Sequence, residues 1–174
     1  MTGTVFVDAN VFLYANDEGD PAKMPRARAW VDHLWDNGLG RTSVQALSEY
    51  YVNLKRKAAA SLPPDEAWLR VSRFLQWKPQ SVDEPLFRRA REIELRWRLS
   101  WWDSMIVAAA QLQGCAILLT EDLQDGALYG GVTVRSPFTL DVREPVPTYA
   151  AAPPSAPRHR GRGRPRKHPA PAAA

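Results

Sequence analysis

Residues Trp102 to Gln113 are apolar on every side of a helical wheel, stop at Gly114, and lead directly into the unbroken apolar run Ala116-Ile117-Leu118-Leu119-Thr120. A helix with almost no polar face has to be buried, and a strand with no polar alternation sits in a sheet covered on both faces, which is the habit of parallel sheets. The rest of the chain must therefore supply helices for two layers. It does so by alternation: Val5-Phe6-Val7 reads as a first strand ending at Asp8, and Ala9 to Ala15 as a helix. Ala27, Trp30, Val31, Leu34 and Trp35 then recur at helical spacing up to Asn37-Gly38.

Leu39 to Thr42 is expected as a second strand, with Ser43 capping a helix whose apolar face is Val44, Leu47, Tyr51 and Leu54. Leu62-Pro63-Pro64-Asp65 breaks the chain and opens a helix carrying Trp68, Leu69, Val71, Phe74 and Leu75. Pro79 to Val82 is expected as a short strand, and Glu84 to Arg98 as a charged helix with Leu86, Ala90, Ile93 and Trp97 inward. In that helix Glu92 with Arg96 and Glu94 with Arg98 have the spacing of favourable ion pairs on a solvated face. Ser100 caps the buried helix, and Val132-Thr133-Val134 is a last strand. The expectation is a single α/β domain with a parallel sheet and helices on both faces.

Charge divides the chain unevenly. From Ala150 to Ala174 there is no acid, and six of the 23 basic residues lie there among proline, glycine and alanine, leaving 17 bases against 19 acids, a net −2, for a chain that is +4 as a whole. The basic character belongs to this tail, whose composition predicts disorder. We place a domain at 1–142 and the tail at 143–174. Cys115, the only cysteine, lies in an apolar run and is expected to be a buried, inert thiol. No apolar stretch is long enough to span a membrane and the N-terminus carries no secretory pattern, so a cytoplasmic protein is expected.

Four acids stand at the edges of apolar or helical segments: Asp8, Glu49, Asp103 and Asp122. Gathered by the fold, they form an oxygen-only pocket suited to Mg²⁺ or Mn²⁺, because several ionised carboxylates share a small site only when a cation offsets their repulsion. Each also has a plainer reading. Asp8 ends a strand where ligands bind in open α/β sheets, and equally suits a helix N-cap. Asp103 lies on the wheel with Ile106, Val107 and Ala110, where an unpaired carboxylate is costly, yet Ser100 three residues earlier makes a capping partner. Asp122 follows the buried strand but fits an ordinary turn, and Glu121 and Asp125 compete with it. Glu49 shares a helix face with Gln45, Asn53 and Arg56, which periodicity reads as solvated. His33 is isolated, His159 and His168 fall in the tail, and no phosphate-cradling glycine loop or nucleophile signature is present.

Taken in order, Val5-Phe6-Val7-Asp8-Ala9-Asn10-Val11-Phe12-Leu13-Tyr14-Ala15, Ser48-Glu49-Tyr50-Tyr51, Trp101-Trp102-Asp103-Ser104-Met105-Ile106-Val107-Ala108-Ala109-Ala110 and Leu118-Leu119-Thr120-Glu121-Asp122-Leu123-Gln124-Asp125-Gly126 resemble PIN-domain ribonucleases, and within them the VapC toxins of type II toxin–antitoxin modules. The resemblance spans about Thr4 to Phe138. It implies that Asp8, Glu49, Asp103 and Asp122 are catalytic, with Asp8, Asp103 and Asp122 as metal ligands and Glu49 binding metal or orienting the water. Asn10 matches a helper for the first acid, Thr120 a hydroxyl lining the site, and Asp125 a further accessory acid. It also implies a PIN-like parallel sheet, Mg²⁺ or Mn²⁺ as cofactor, RNA as substrate, hydrolysis by a metal-activated water, a cognate antitoxin and a homodimer.

The chain departs from that family after Phe138. Arg160-Gly161-Arg162-Gly163-Arg164-Pro165-Arg166-Lys167 resembles an AT-hook. In that motif the Gly163-Arg164-Pro165 core lies in the minor groove of A·T-rich DNA, with flanking basic residues such as Arg162 and Arg166 completing the DNA-binding tail; a general polyanion-binding tail is the alternative. Two further functions stay open beside the RNA-cleaving toxin: a nucleic-acid-binding PIN scaffold whose tail carries the function, and a DNA-directed or rRNA-processing nuclease.

Overall fold

A computed structural model describes residues 3–56 and 62–151. Its elements run β1 (Val5–Val7), α1 (Ala9–Tyr14), α2 (Met24–Asp36), β2 (Gly40–Arg41), α3 (Val44–Arg56), α4 (Pro64–Ser72), a 3-10 helix (Arg73–Trp77), α5 (Glu84–Trp97), α6 (Trp101–Leu112), β3 (Ile117–Leu119), β4 (Leu128–Tyr129) and β5 (Val132–Arg135). The five strands lie in the order β2-β1-β3-β5-β4. All pairs are parallel except β4 with β5, with Val5 opposite both Gly40 and Ile117, and Ile117 opposite Thr133. The expected α/β sheet flanked by helices is the fold observed.

Strand residues alternate between two cores, as the two-residue period of a strand requires. Val5, Val7, Ile117 and Leu119 face α1 to α4 and the 3-10 helix, where Phe12, Tyr50, Phe74 and Trp77 pack together. Phe6, Leu118, Val132 and Val134 face α5 and α6. Both faces of β1 and β3 are thus covered, which is why their sequences carry no polar residue. At the sheet edge, a Cβ on Gly40 would come within 2.5 Å of the Trp77 ring, so β2 can approach the 3-10 helix only as glycine.

Several expectations are corrected. Pro79 to Val82 makes no strand, only an isolated bridge from Gln80 to Ser43, because the partner chain turns into α3 at Val44 and offers no further strand to pair with. Leu128–Tyr129 pairs antiparallel with Val132–Arg135 through a two-residue Gly130-Gly131 turn, with Gly130 at φ +66. On α4 and the following turn Ala67, Val71 and Phe74 face the core at i, i+4 and i+7, while Trp68, Leu69 and Leu75 fall outside that stripe and are exposed. On α5 the acids pair backwards, Glu92 with Arg89 and Glu94 with Arg91. The expected partners are diverted: Arg98 is the left-handed residue ending the helix and Arg96 stacks on Trp97.

Packing continues past residue 142. Val146 is buried, its carbonyl accepts from the Gly3 N–H at 3.1 Å, and Tyr149 packs against the α5–α6 core. The AT-hook-like run 160–167 lies outside the described residues. Cys115 is buried, and burial pushes its thiol up to about 11, consistent with inertness. Among the described residues no helix is long and apolar enough to cross a membrane.

Candidate active site

The carboxyl ends of β1 and β3 lie side by side, which brings the residues just after them together. Asp8 caps α1, its Oδ1 accepting from the Ala9 N–H at 2.7 Å, so the capping role expected of it is real. Its Oδ2 accepts from the Thr120 hydroxyl at 2.8 Å. Thr120 Oγ1 in turn accepts from Asn10 Nδ2 at 3.0 Å and from the Asp122 N–H at 3.1 Å. One hydroxyl thereby fixes Asp8, Asn10 and the backbone that carries Asp122.

Asp8 is only 6% exposed. Burial raises its pKa to about 7 against the Thr120 and Ala9 hydrogen bonds that lower it, and the charges of Asp122 and Glu49 push it further up. The cap works against this shift; burial is the main cause that holds the carboxyl so far above its usual range, with the neighbouring acids adding to it.

Glu49 follows from how its neighbour is anchored. Tyr50 is buried, stacks on Phe12 at 5.4 Å and accepts from Asn16 Nδ2 at 2.9 Å. One residue earlier on the helix points elsewhere, and Glu49 opens onto the cleft beneath the β1 end. Gln45, one turn before, donates from Nε2 to Glu49 Oε1 at 3.1 Å and reaches the Trp102 carbonyl at 3.5 Å, tying α3 to the start of α6. Gln45 was not singled out from sequence, although its i,i+4 spacing from Glu49 was the available signal.

Asp103 stands in the first turn of α6. Ser100 Oγ accepts from its N–H at 3.1 Å and donates to its Oδ2 at 2.6 Å, so the cap and the cleft-lining position belong to the same side chain. Asp103 is partly exposed, since this first turn projects beyond the sheet. The competition around Asp122 is resolved by partners. Glu121 pairs with Lys23 at 2.8 Å. Asp125 accepts from the Ser136 N–H, the Thr139 hydroxyl and Arg135. Burial works to raise the Asp125 pKa, but those three donors outweigh it and hold the carboxyl below its ordinary value. Asp125 clamps the chain after β5 and is not on the cleft wall.

Asp8, Glu49, Asp103 and Asp122 all line one cleft of about 730 Å³, and no lysine or arginine is among the residues that line it. The rest of the lining is largely apolar and aromatic, with Phe87, Trp101 and Trp102. The donor set is all oxygen, which fits a hard divalent cation. Among the described residues no group of three or more His, Cys, Asp or Glu side chains is placed close enough to hold a metal ion as it stands. Mg²⁺ keeps several waters and takes one or two carboxylates directly, so it asks less of the protein than a full ligand cage. Asn10 Oδ1, buried without a hydrogen-bond partner and one hydroxyl away from Asp8, is a free acceptor for such a water.

A mostly parallel sheet with helices on both faces and acids near the carboxyl ends of its strands defines an α/β protein with a cleft at the strand ends, where ligands bind in open α/β sheets. The chain belongs to the PIN domain family, whose model matches residues 5–124. Two solved structures are similar in fold. A toxin–antitoxin complex from Klebsiella pneumoniae has a TM-score of 0.56 at 17% identity, covering 79% of this chain and 100% of that one. The Mycobacterium tuberculosis toxin VapC20, described as cleaving the sarcin-ricin loop, has a TM-score of 0.48 at 18% identity, covering 66% of this chain and 87% of that one. No curated protein sequence matches the chain.

Proposed function

We propose that this protein is a divalent-cation-dependent endoribonuclease and the toxin of a type II toxin–antitoxin pair. The observation that carries the reading is the meeting of Asp8, Glu49, Asp103 and Asp122 on one cleft that no lysine or arginine lines among the described residues. Asp8, Asp103 and Asp122 would hold the ion, Mg²⁺ or Mn²⁺. When bound, such an ion would lower the pKa of a water and offset the charge that builds on a phosphodiester during in-line attack. Asp8 would serve as a ligand in its carboxylate form, its two oxygens kept in place by the Thr120 hydroxyl and the Ala9 N–H. Ser100 holds Asp103 in one rotamer, and Gln45 holds Glu49 where it can orient the attacking water.

The PIN domain and its likeness in fold to a toxin–antitoxin complex support a protein antitoxin as partner, acting by covering this cleft; a homodimer in the cytoplasm completes the proposed picture. The sequence of the tail supports a second, independent activity, binding of A·T-rich DNA through Arg162, Gly163, Arg164, Pro165 and Arg166. The toxin reading is tested by overproducing the wild type and Asp8→Asn and following growth with RNA integrity. The wild type is expected to arrest growth and fragment RNA while Asp8→Asn does neither; equal toxicity of the two would move the cause away from this cleft.

A further inference from the structure

The cleft has a second wall that the acids do not explain. Trp102 is 63% exposed and Phe87 47%, on the same cleft as the four carboxylates. Phe87 stacks against Trp101 with ring centroids 5.5 Å apart, whereas Trp102 has no ring partner among the described residues. Trp102 immediately precedes Asp103 on α6, and its backbone carbonyl is the one Gln45 reaches. An indole left this open beside a charged cleft forfeits the burial that tryptophan normally gains, which marks a surface made for a ligand with a flat apolar face.

We infer that Trp102, backed by the Phe87–Trp101 pair, is a nucleobase platform: an unpaired base flanking the scissile phosphate stacks on the Trp102 indole. The inference rests on the nuclease reading and adds the part of the substrate that the wall recognises. Single-stranded nucleic acid is commonly held by a basic groove together with aromatic rings. Among the described residues no lysine or arginine lines the cleft, so within the folded domain the rings are the source of affinity for a base beyond the ion itself. The arrangement also selects substrate. A base inside a duplex presents no free face to Trp102, so only RNA unpaired at that nucleotide brings base and phosphate into the cleft together. A protein segment is the competing occupant, but the lining beside the rings is mainly Val44, Val82, Met105 and Ile106, and its neutral polar side chains, Gln45 and Ser48, already donate to Glu49 and to the Val44 carbonyl.

The test uses the full-length protein with Mg²⁺ or Mn²⁺ and a pool of random single-stranded oligoribonucleotides, from which one efficiently cleaved sequence is taken. Trp102→Ala is expected to raise KM for that oligonucleotide about 5- to 100-fold, the loss falling on KM rather than kcat, and Trp102→Phe to recover most of it. Single abasic positions are then stepped along the oligonucleotide. At one position beside the cleavage site, removing the base should cost the wild type the same factor and cost Trp102→Ala nothing further; at other positions the two losses should multiply. Unchanged KM in Trp102→Ala, or a loss indifferent to which base is missing, overturns the platform while leaving the nuclease intact. So does a Trp102→Ala protein that cleaves normally but escapes a protein inhibitor, which would assign the wall to that partner. If the wild type cleaves no member of the pool with either ion, the nuclease reading itself fails and takes this inference with it.

Discussion

Removing the charge from Asp8 should make the metal-free protein more stable and catalytically dead. Burial raises the Asp8 pKa from 3.8 to about 7, roughly three pH units, and at ~1.4 kcal/mol per unit the site costs about 4 kcal/mol of stability at neutral pH. For an acid with a raised folded pKa the sign is fixed: its stabilising contribution is complete below pH 3.8, falls as pH rises toward 7, and is gone above it. Asparagine keeps the cap on Ala9 but turns a donor toward Thr120 Oγ1, which already accepts from Asn10 and the Asp122 N–H, a loss of roughly 1–2 kcal/mol. The net gain for Asp8→Asn is then about 2–3 kcal/mol, or about 4–12 °C in Tm for a chain of this size. The assay is thermal unfolding in EDTA at pH 4, 6 and 8, repeated with Mg²⁺ or Mn²⁺. The advantage should be absent at pH 4 and full at pH 8, and added ion should stabilise the wild type alone. A variant melting at or below the wild type at pH 8 in EDTA would refute the argument that the cleft is strained by uncompensated charge.

Three further outcomes are expected. Gln45→Ala frees Glu49, and RNA cleavage should fall about 2- to 10-fold, the value of one hydrogen bond, with the melting temperature unchanged. Gly40→Ala drives a methyl into the Trp77 ring and should destabilise the fold by about 1–3 kcal/mol in urea titration, lowering the midpoint without altering the slope. Truncation after Ala151 removes six basic residues and should abolish preferential binding of A·T-rich over G·C-rich duplex, together with a salt slope of roughly −4 to −5, while cleavage of a short RNA survives.

The sheet was legible because β1 and β3 are apolar throughout, a pattern few environments permit. β4 was missed although Tyr129-Gly130-Gly131-Val132 carries a hairpin signal, since two-residue strands give no periodicity to read. The apolar residues of α4 do not by themselves fix its buried face: Ala67, Val71 and Phe74 form the inward stripe, and Trp68, Leu69 and Leu75 lie off it. Glu49 shows a different limit: periodicity reads it as solvent-facing, and it is exposed, but the solvent it meets is the cleft. A helical wheel separates core from water and cannot separate open surface from a site. Asp103 could be read both ways because both ways hold, with Ser100 capping the helix and orienting the carboxylate through the same hydroxyl. The roles of Glu121 and Asp125 depend on Lys23, Arg135, Ser136 and Thr139, distant or weakly patterned partners that only the folded chain brings near.

The central claim is that four carboxylates on one cleft make a cation-dependent ribonuclease, and the direct measurement is cleavage of single-stranded RNA by purified wild type, Asp8→Asn and Asp103→Asn, each with Mg²⁺, Mn²⁺ or EDTA. The wild type should cleave only with a divalent ion, and both variants, folded by their melting curves, should lose cleavage by at least about 100-fold, the scale of removing one transition-state electrostatic partner. Cleavage that persists in EDTA, or full activity in both variants, would contradict the account.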